Sequence, residues 1–266
     1  MIDDIFISFP NLLLYFLLLI TGLCVGSFLN VIIDRLPNGR GLGGRSKADC
    51  CGVTLGVADL FPVLTFFLQS GKCRHCGKKI SFYYPLVELT SAILTAVTFF
   101  YFPFPFNLFY LVNFYFLIIF FFTDLKYGLV PVSVFLAGLC YVSVFEFYLF
   151  LSGFLTSDFL LLNWAGALGA ALFFVFLILI TKGKGMGFGD VLLVFLFSLM
   201  VGFPASISMV FLSFILGGFV SSLLLIFKKK HFGQTLPFGP FLSLASGISL
   251  IFGKDLVNWY LQIVLK

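Results

Sequence analysis

Long apolar runs constrain the fold of this 266-residue chain more than any other feature of its sequence. Hydrophobic residues make up 61% of the chain and charged residues only 10%, whereas a soluble domain carries about 25% charged residues. A water-facing surface cannot be built from so few charges. Because the runs reach the roughly 20 residues that a helix needs to cross a bilayer, the sequence predicts an all-α integral membrane protein.

About eight transmembrane helices are predicted from these runs. Gly202-Phe203-Pro204 is interpreted as a turn between two of them, because proline cannot continue a helix cleanly. The acidic Met1–Asp4 segment lacks the basic region of a signal peptide, so the first run is expected to remain as a span. An amphipathic segment at 256–266 is expected to lie at the membrane interface. The predicted spans are 11–33, 83–102, 106–123, 130–151, 160–181, 190–203, 205–227 and 236–253.

Basic residues orient the predicted bundle, because they favour the cytoplasmic side of a membrane. With the N-terminus outside, 14 of the 16 Lys and Arg residues fall in predicted cytoplasmic segments. The net charge of +5 indicates attraction to an anionic inner leaflet, so membrane lipids are expected partners and nucleic acid is not. These cytoplasmic segments are the loop 34–82 and the turns 124–129, 182–189 and 228–235.

This topology divides the chain into three regions. They are a first transmembrane helix within 1–33, a cytoplasmic loop at 34–82 that contains cysteines and is called the cysteine loop below, and a transmembrane domain at 83–266. The topology also places Asp124, at the end of the third span, and Asp190, at the start of the sixth, at the same cytoplasmic end of the bundle. The two aspartates are therefore able to meet in space.

Asp124 and Asp190 are predicted to form the catalytic pair of an aspartic protease. Ionisable side chains near hydrocarbon are costly and usually functional. Two neighbouring carboxylates share a proton, so one can accept a proton from water while the other donates to a peptide carbonyl. Two alternatives are open. The residues could have local roles, Asp190 as a helix N-cap and Asp124 as a partner of Lys126, or they could serve a proton-coupled transporter, although no inverted repeat is evident.

Three alternating glycines, Gly185, Gly187 and Gly189, precede Asp190. Residues without a Cβ allow close approach of another chain, and an extended segment can pair with the backbone of a substrate. These glycines are therefore candidate substrate-binding positions, while a plain turn is the alternative.

Gly185–Asp190 resembles the signature of GxGD-type aspartic proteases. Further segments resemble the bacterial type IV prepilin peptidases, in the same order along nearly the whole chain. These segments are Gly26–Pro37 (GSFLNVIIDRLP), Asp59–Leu64 (DLFPVL), Gly71–Cys76 (GKCRHC), Ile80–Leu89 (ISFYYPLVEL) and Pro237–Leu242 (PFGPFL).

The resemblance implies both an activity and a location. Such enzymes cleave the short, positively charged leader of prepilins and pseudopilins after a glycine, at the cytoplasmic face of the bacterial inner membrane. Many then methylate the new N-terminal residue with S-adenosylmethionine; a peptidase without this second activity is the alternative. The catalytic aspartates of the family fall on Asp124 and Asp190. Leu192 stands where the family often has a lysine, which changes the local electrostatics.

Four cysteines of the cysteine loop are candidate metal ligands: Cys50, Cys51, Cys73 and Cys76. Cys73 and Cys76 form a CxxC pair, and a structural zinc ion takes four such ligands in a tetrahedron. Because a cytoplasmic loop is reducing, bound metal is favoured over disulfides. Degenerate cysteines in a basic loop are the alternative.

The first half of this cysteine pattern is irregular, because the resemblance places a cysteine at position 48 and this chain has Ala48. The fourth ligand is therefore open between Cys50, His75 and Asp49, and adjacent cysteines seldom chelate one tetrahedral ion comfortably. The family's methyltransferase activity is associated with this region, so Ala48 makes that activity the less secure one. Glu88 matches the family pattern and is predicted either to serve the substrate or methyl-donor site or to pair with a basic loop residue.

Overall fold

A computed structural model of the protein describes residues 2–48, 50–56, 59–183, 185–228 and 236–264, with side chains from Leu13 to Ile263. Within these ranges the regular structure is helical, apart from two isolated bridges, Lys47–Thr54 and Lys72–Lys79. The helices are α1 Ile2–Arg35, α2 Leu64–Leu68, α3 Tyr83–Tyr101, α4 Phe106–Tyr127, α5 Val132–Leu151, α6 Ser157–Ile180, α7 Phe188–Val201, α8 Ala205–Ile226 and α9 Gly239–Val264.

Seven of these helices are long and apolar enough to cross a membrane: α1 (from Leu13), α3, α4, α5, α6, α8 and α9. The predicted span 190–203, the sixth along the chain, corresponds to α7, which is apolar but has only 14 residues, a length of about 21 Å. The predicted all-α membrane fold is confirmed, with the cysteine loop between its first two long helices. Gly202, at a φ of 83°, ends α7, and Pro204 directly precedes α8, so the predicted turn is present.

Two elements differ from the sequence-based expectation. The span predicted to end at 253 is longer, because α9 continues without interruption to Val264, through most of the segment 256–266 that is predicted to lie at the interface. Lys254 and Asp255 end the apolar run without ending the helix, because charge lowers hydropathy but does not prevent helical hydrogen bonding. The short helix α2 was not predicted, since five residues are too few to give a helical period.

The chain divides into two compact units, Met1–Ile119 and Phe120–Lys266. In the first unit α1 packs closely on α3. A Cβ added to Gly22 would lie 2.6 Å from Cα of Ala92, and one added to Gly26 would lie 2.6 Å from Cα of Glu88. Small residues at a helix interface allow the two backbones to approach this closely.

Polar contacts join the ends of α1 and α3 between which the cysteine loop runs. The Tyr84 hydroxyl donates to Asp34 Oδ2 at 2.8 Å, and Asn30 Nδ2 donates to the Tyr84 carbonyl at 3.2 Å. The Arg35 guanidinium donates to five consecutive backbone carbonyls, from Gly41 to Arg45. The first part of the loop is thereby wrapped around the end of α1.

In the second unit the short helix α7 is the central element. It contacts α5, α6, α8 and α9, and all of its side chains from Asp190 to Met200 are buried except Leu192 and Phe195, which are half-buried. Phe197 packs edge-on against Phe120 of α4, with ring centroids 5.7 Å apart. Asp190 therefore begins a helix that runs through the core of this unit.

Candidate active site

Asp124 lies in the last turn of α4 and is buried, with 8% of its surface exposed. The helix ends just beyond it, where Gly128 takes a φ of 63° and its N–H donates to the Asp124 carbonyl at 2.9 Å. Asp124 Oδ2 accepts a hydrogen bond from the N–H of Gly239 at 2.9 Å. Since Gly239 is the first residue of α9, this N–H belongs to a helix N-terminus, where amides have no partner within the helix and favour negative charge.

Asp190 is the third residue of α7 and is also buried, with 9% of its surface exposed. Its Oδ2 accepts a hydrogen bond from the N–H of Gly187 at 3.0 Å. Gly187 is the residue that caps α7, so Asp190 stabilises the start of the helix from within its first turn and is not itself the N-cap. The carboxylate is thus held by its own helix terminus.

The structure brings these two predicted residues together. The carboxylates of Asp124 and Asp190 are near enough for the charge of one to act on the other, although Asp124 lies in the last turn of α4 and Asp190 in the first turn of α7. Two buried carboxylates so placed repel each other when both are ionised, and the pair is most stable when it holds one proton. Such a pair has the acid and the base that peptide hydrolysis requires.

The three glycines before Asp190 fall into two groups. Gly187 has extended backbone, with φ −88° and ψ 158°, and both Gly185 and Gly187 are exposed. Gly189 lies inside the first turn of α7, where an added Cβ would lie 2.9 Å from Cγ2 of Val130. Gly185 and Gly187 lie outside the helix and are exposed, whereas Gly189 allows α7 to approach the turn that follows Asp124.

Gly239 was not predicted as a site residue. A Cβ at this position would lie 2.6 Å from Oδ2 and 2.9 Å from Cγ of Asp124, and 3.0 Å from Cδ1 of Leu193. Only glycine therefore allows the N-terminus of α9 to reach the carboxylate. The sequence signal was a glycine between prolines, Pro237-Phe238-Gly239-Pro240, just before an apolar run.

Glu88 belongs to the first unit and is buried in α3. Its Oε2 accepts a hydrogen bond from the Val63 N–H at 2.8 Å, and its carboxylate also bonds to the Ser27 hydroxyl of α1. The partners of Glu88 are thus a loop amide and a helix hydroxyl. This carboxylate ties the cysteine loop to α1 and α3.

The four cysteines of the cysteine loop form one cluster, with all sulfur atoms within 4.8 Å of one another. The Sγ of Cys76 lies 3.1 Å from that of Cys50, and the Sγ of Cys51 lies 3.9 Å from that of Cys73. Tetrahedral zinc with Zn–S bonds of about 2.3 Å places its sulfur ligands about 3.8 Å apart, so the cluster can hold such an ion. The sulfur of Cys50 lies within this cluster although Cys50 is adjacent to Cys51.

The local electrostatics favour a thiolate at Cys73, whereas hydrogen bonding with Cys76 and Cys73 raises the pKa of Cys50 to about 12. Backbone N–H groups of His75 and Cys76 donate to the Cys73 sulfur and lower its pKa to about 6. The thiolate is the form that binds metal. Of the other proposed fourth ligands, His75 lies outside the cluster, with Nε2 3.9 Å from Oδ2 of Asp59, and Asp49 lies outside the described residues.

Comparison with known proteins agrees with the predicted family. The family model described as Bacterial Peptidase A24 N-terminal domain matches residues 20–102, and that described as Type IV leader peptidase family matches residues 111–222. No solved structure matches.

Several curated relatives carry the name prepilin leader peptidase/N-methyltransferase. That of Bacillus subtilis (strain 168) is 31% identical, over 94% of this chain and 98% of the relative. That of Aeromonas hydrophila is 31% identical, over 93% and 94%, and that of Legionella pneumophila is 30% identical, over 98% and 99%. Identity at this level over nearly the full length of both partners shows that this chain belongs to the type IV leader peptidase family.

Proposed function

We propose that this protein is a membrane aspartic endopeptidase that cleaves the basic leader peptide of type IV prepilins or pseudopilins after a glycine. The observation that carries the proposal is the pair of buried, interacting carboxylates of Asp124 and Asp190, held at the ends of two helices. The names of the relatives, which describe a peptidase and not a transporter, support the choice of substrate.

The proposed chemistry follows from the two hydrogen bonds that hold the pair. One carboxylate accepts a proton from a water molecule as it attacks, and the other donates a proton to the oxygen of the scissile carbonyl. The amides of Gly239 and Gly187 orient the two groups. The non-helical stretch Gly185–Gly187, in which both glycines are exposed and Gly187 has extended backbone, is the place where the substrate chain pairs with the enzyme.

The proposed setting is the inner membrane of a bacterium, with the N-terminus outside and the aspartates at the cytoplasmic face. The distribution of Lys and Arg supports this orientation, since 14 of the 16 fall on the side predicted to be cytoplasmic. In this arrangement residues 1–33 form the first span, 34–82 the cytoplasmic loop and 83–266 the peptidase domain. A basic leader would then be on the same side as the aspartates.

Methylation of the new N-terminus is the second part of the proposal. It is supported by the names of the relatives, and S-adenosylmethionine would supply the methyl group. No set of the described residues is assigned to the methyl donor. Glu88 is proposed to serve the substrate or methyl-donor site indirectly, by positioning the cysteine loop, because its carboxylate holds the Val63 amide.

A cleavage assay tests both activities. The purified protein, reconstituted in liposomes, is expected to cut a synthetic precursor with a basic leader, a glycine and an apolar helix on the carboxyl side of that glycine. A precursor with valine in place of the glycine is the control and is expected to stay intact. With S-adenosylmethionine added, mass spectrometry of the product is expected to show one added methyl group.

The possible results of this assay separate the alternatives. Cleavage without methylation would leave a peptidase alone. An intact precursor, together with proton-coupled uptake of solute into the same liposomes, would replace the proposal with a transporter.

We further propose that the cysteine cluster binds one zinc ion through Cys50, Cys51, Cys73 and Cys76, and that this ion crosslinks two stretches of the cysteine loop. The purified protein is expected to carry about one equivalent of zinc, and Cys73→Ser to carry less than about 0.2, because a tetrahedral site that loses a thiolate binds far more weakly. Elemental analysis by mass spectrometry measures both values.

Cys140→Ser is the matched control for zinc binding, because Cys140 lies in α5, outside the cluster. It is expected to keep the full zinc content. A parent protein without metal, or a Cys73→Ser protein with unchanged metal, would contradict the zinc proposal.

A further inference from the structure

Exposed apolar side chains are concentrated around α2, within the cysteine loop. We call Phe61, Leu64, Phe67, Leu68 and Phe82 the apolar loop patch; each has more than half of its surface exposed, and Leu68 reaches 84%. Connecting loops that face water are normally polar. Contiguous apolar side chains of this size therefore mark a surface that interacts with something other than water.

The hydrogen bond from Val63 to Glu88 sets the depth of this patch. Val63 directly precedes α2, and its N–H donates to Glu88 Oε2 at 2.8 Å. Glu88 lies five residues beyond Tyr83, the first residue of α3, which is about 7.5 Å along the helix. Because the Glu88 side chain leans toward the N-terminus of its helix, this bond holds the start of α2 beside the first turns of α3.

A ring contact independently places α2 near the start of α3. The Phe66 ring of α2 packs edge-on against Phe82, the residue just before α3, with centroids 5.9 Å apart. Phe82 lies where the cysteine loop meets α3, and Phe66 is the central residue of α2. The middle of α2 thus lies level with the start of α3.

The length of α3 relates this level to the membrane. The helix has 19 residues, which extend about 28 Å, so all of it is needed to cross a hydrocarbon layer of about 30 Å. The start of α3 must then lie at the membrane surface. Since Val63 and Phe66 are held at or below that level, α2 lies where the lipid headgroups meet the acyl chains.

The backbone at Val63 indicates that this placement is built into the fold. Val63 has a φ of 60°, in the left-handed region that a β-branched residue rarely adopts. Such a conformation persists only where its surroundings hold it in place. Here the buried Glu88 carboxylate, which also bonds to Ser27, accepts a hydrogen bond from the Val63 N–H and so holds Val63 in place.

The charge of the cysteine loop fits an anionic lipid surface. Residues 34–82 contain eight positively charged Lys and Arg residues and three negatively charged residues, Asp34, Asp49 and Asp59, with histidine not counted. Four of these basic residues follow α2 closely and are exposed. Lysines and arginines near a membrane surface are attracted to anionic headgroups. The four are Lys72, Arg74, Lys78 and Lys79.

We propose that the apolar loop patch inserts into the lipid leaflet on the side of the loop, as an interfacial anchor, while the basic residues near it contact anionic headgroups. The anchor holds the cysteine cluster close to the membrane surface. This surface is separate from the proposed peptidase pair, and its test does not depend on cleavage.

Fluorescence of a tryptophan placed in the patch tests the insertion. Leu68→Trp is compared with Thr54→Trp, an exposed position of the same loop outside the patch and its basic neighbours, in bilayers that contain anionic lipid. Difference spectra against the parent remove the contribution of Trp164 and Trp259. Lipids brominated near the glycerol end of their acyl chains are expected to quench the added Leu68→Trp emission strongly, and aqueous acrylamide to quench it weakly, with the reverse order for Thr54→Trp.

Two results would overturn the proposal. Equal quenching of both variants by acrylamide would place the patch in water. Protection of Leu68→Trp from both quenchers would mean that protein, such as a second copy of the chain, covers the patch. Each variant is first checked by gel filtration, and Phe67→Trp replaces Leu68→Trp if that variant aggregates, because Phe67 is also an exposed residue of α2.

Discussion

Asp124→Asn and Asp190→Asn are each expected to lower the rate of precursor cleavage by about 10²–10⁴-fold, the range typical of losing a general acid or base. Asparagine has nearly the same shape as aspartate, and its carbonyl oxygen can still accept the hydrogen bond from Gly239 or Gly187. It cannot exchange a proton with water or with the scissile carbonyl. Single-turnover cleavage of the synthetic precursor in liposomes measures the loss without interference from product release.

The double variant separates a catalytic pair from two independent residues. If the carboxylates act as one unit, Asp124→Asn combined with Asp190→Asn cleaves about as slowly as the slower single variant, because the second change removes nothing further. If the two residues acted independently, their losses of cleavage rate would instead multiply in the double variant. Asp158→Asn is the matched control, since Asp158 is exposed in the first turn of α6 and is expected to be without effect. Cleavage at the parent rate by either single variant would remove that residue from the pair.

The sequence predicted the membrane helices and the aspartates because both signals are local. A run of apolar residues identifies a span by its length alone, and a charge at the end of such a run is conspicuous in a chain with so few charges. The position of Asp124 one turn before the end of α4 was harder to predict from the sequence. It depends on Gly128, whose left-handed backbone ends the helix four residues beyond the predicted span 106–123.

The partners of the aspartates could not be predicted, because they come from remote parts of the chain. Gly239 follows Asp124 by 115 residues, and only the fold brings its amide to the carboxylate. Cys50 was in doubt for a related reason. Its adjacency to Cys51 argues against one shared metal site, whereas the fold places the sulfur atoms of both residues within 4.8 Å of those of Cys73 and Cys76, which lie more than 20 residues away along the chain.

Gly239→Ala is expected to reduce cleavage by roughly 10²-fold, although the new methyl group carries no charge and removes no hydrogen-bonding group. The added Cβ would lie 2.6 Å from Asp124 Oδ2, closer than real Cβ contacts allow, so the carboxylate or the start of α9 must move. Leu193 resists that movement, because its Cδ1 lies 3.0 Å from the same position and its side chain is fully buried. A displacement of about 1 Å in a catalytic group costs rate on this scale.

Gly218→Ala is the matched control for this substitution. Gly218 lies in α8, and nothing comes within 4 Å of a Cβ added there, so alanine is expected to leave cleavage unchanged. Overpacking at Gly239 also costs about 1–3 kcal/mol of stability, so thermal unfolding must be measured beside activity. If Asp124 is displaced within an intact fold, kcat falls while KM and the gel-filtration profile stay close to those of the parent. Full activity in Gly239→Ala would mean that the contact between α9 and Asp124 is not needed for cleavage, because a carboxylate pair that tolerates this shift does not depend on its precise placement.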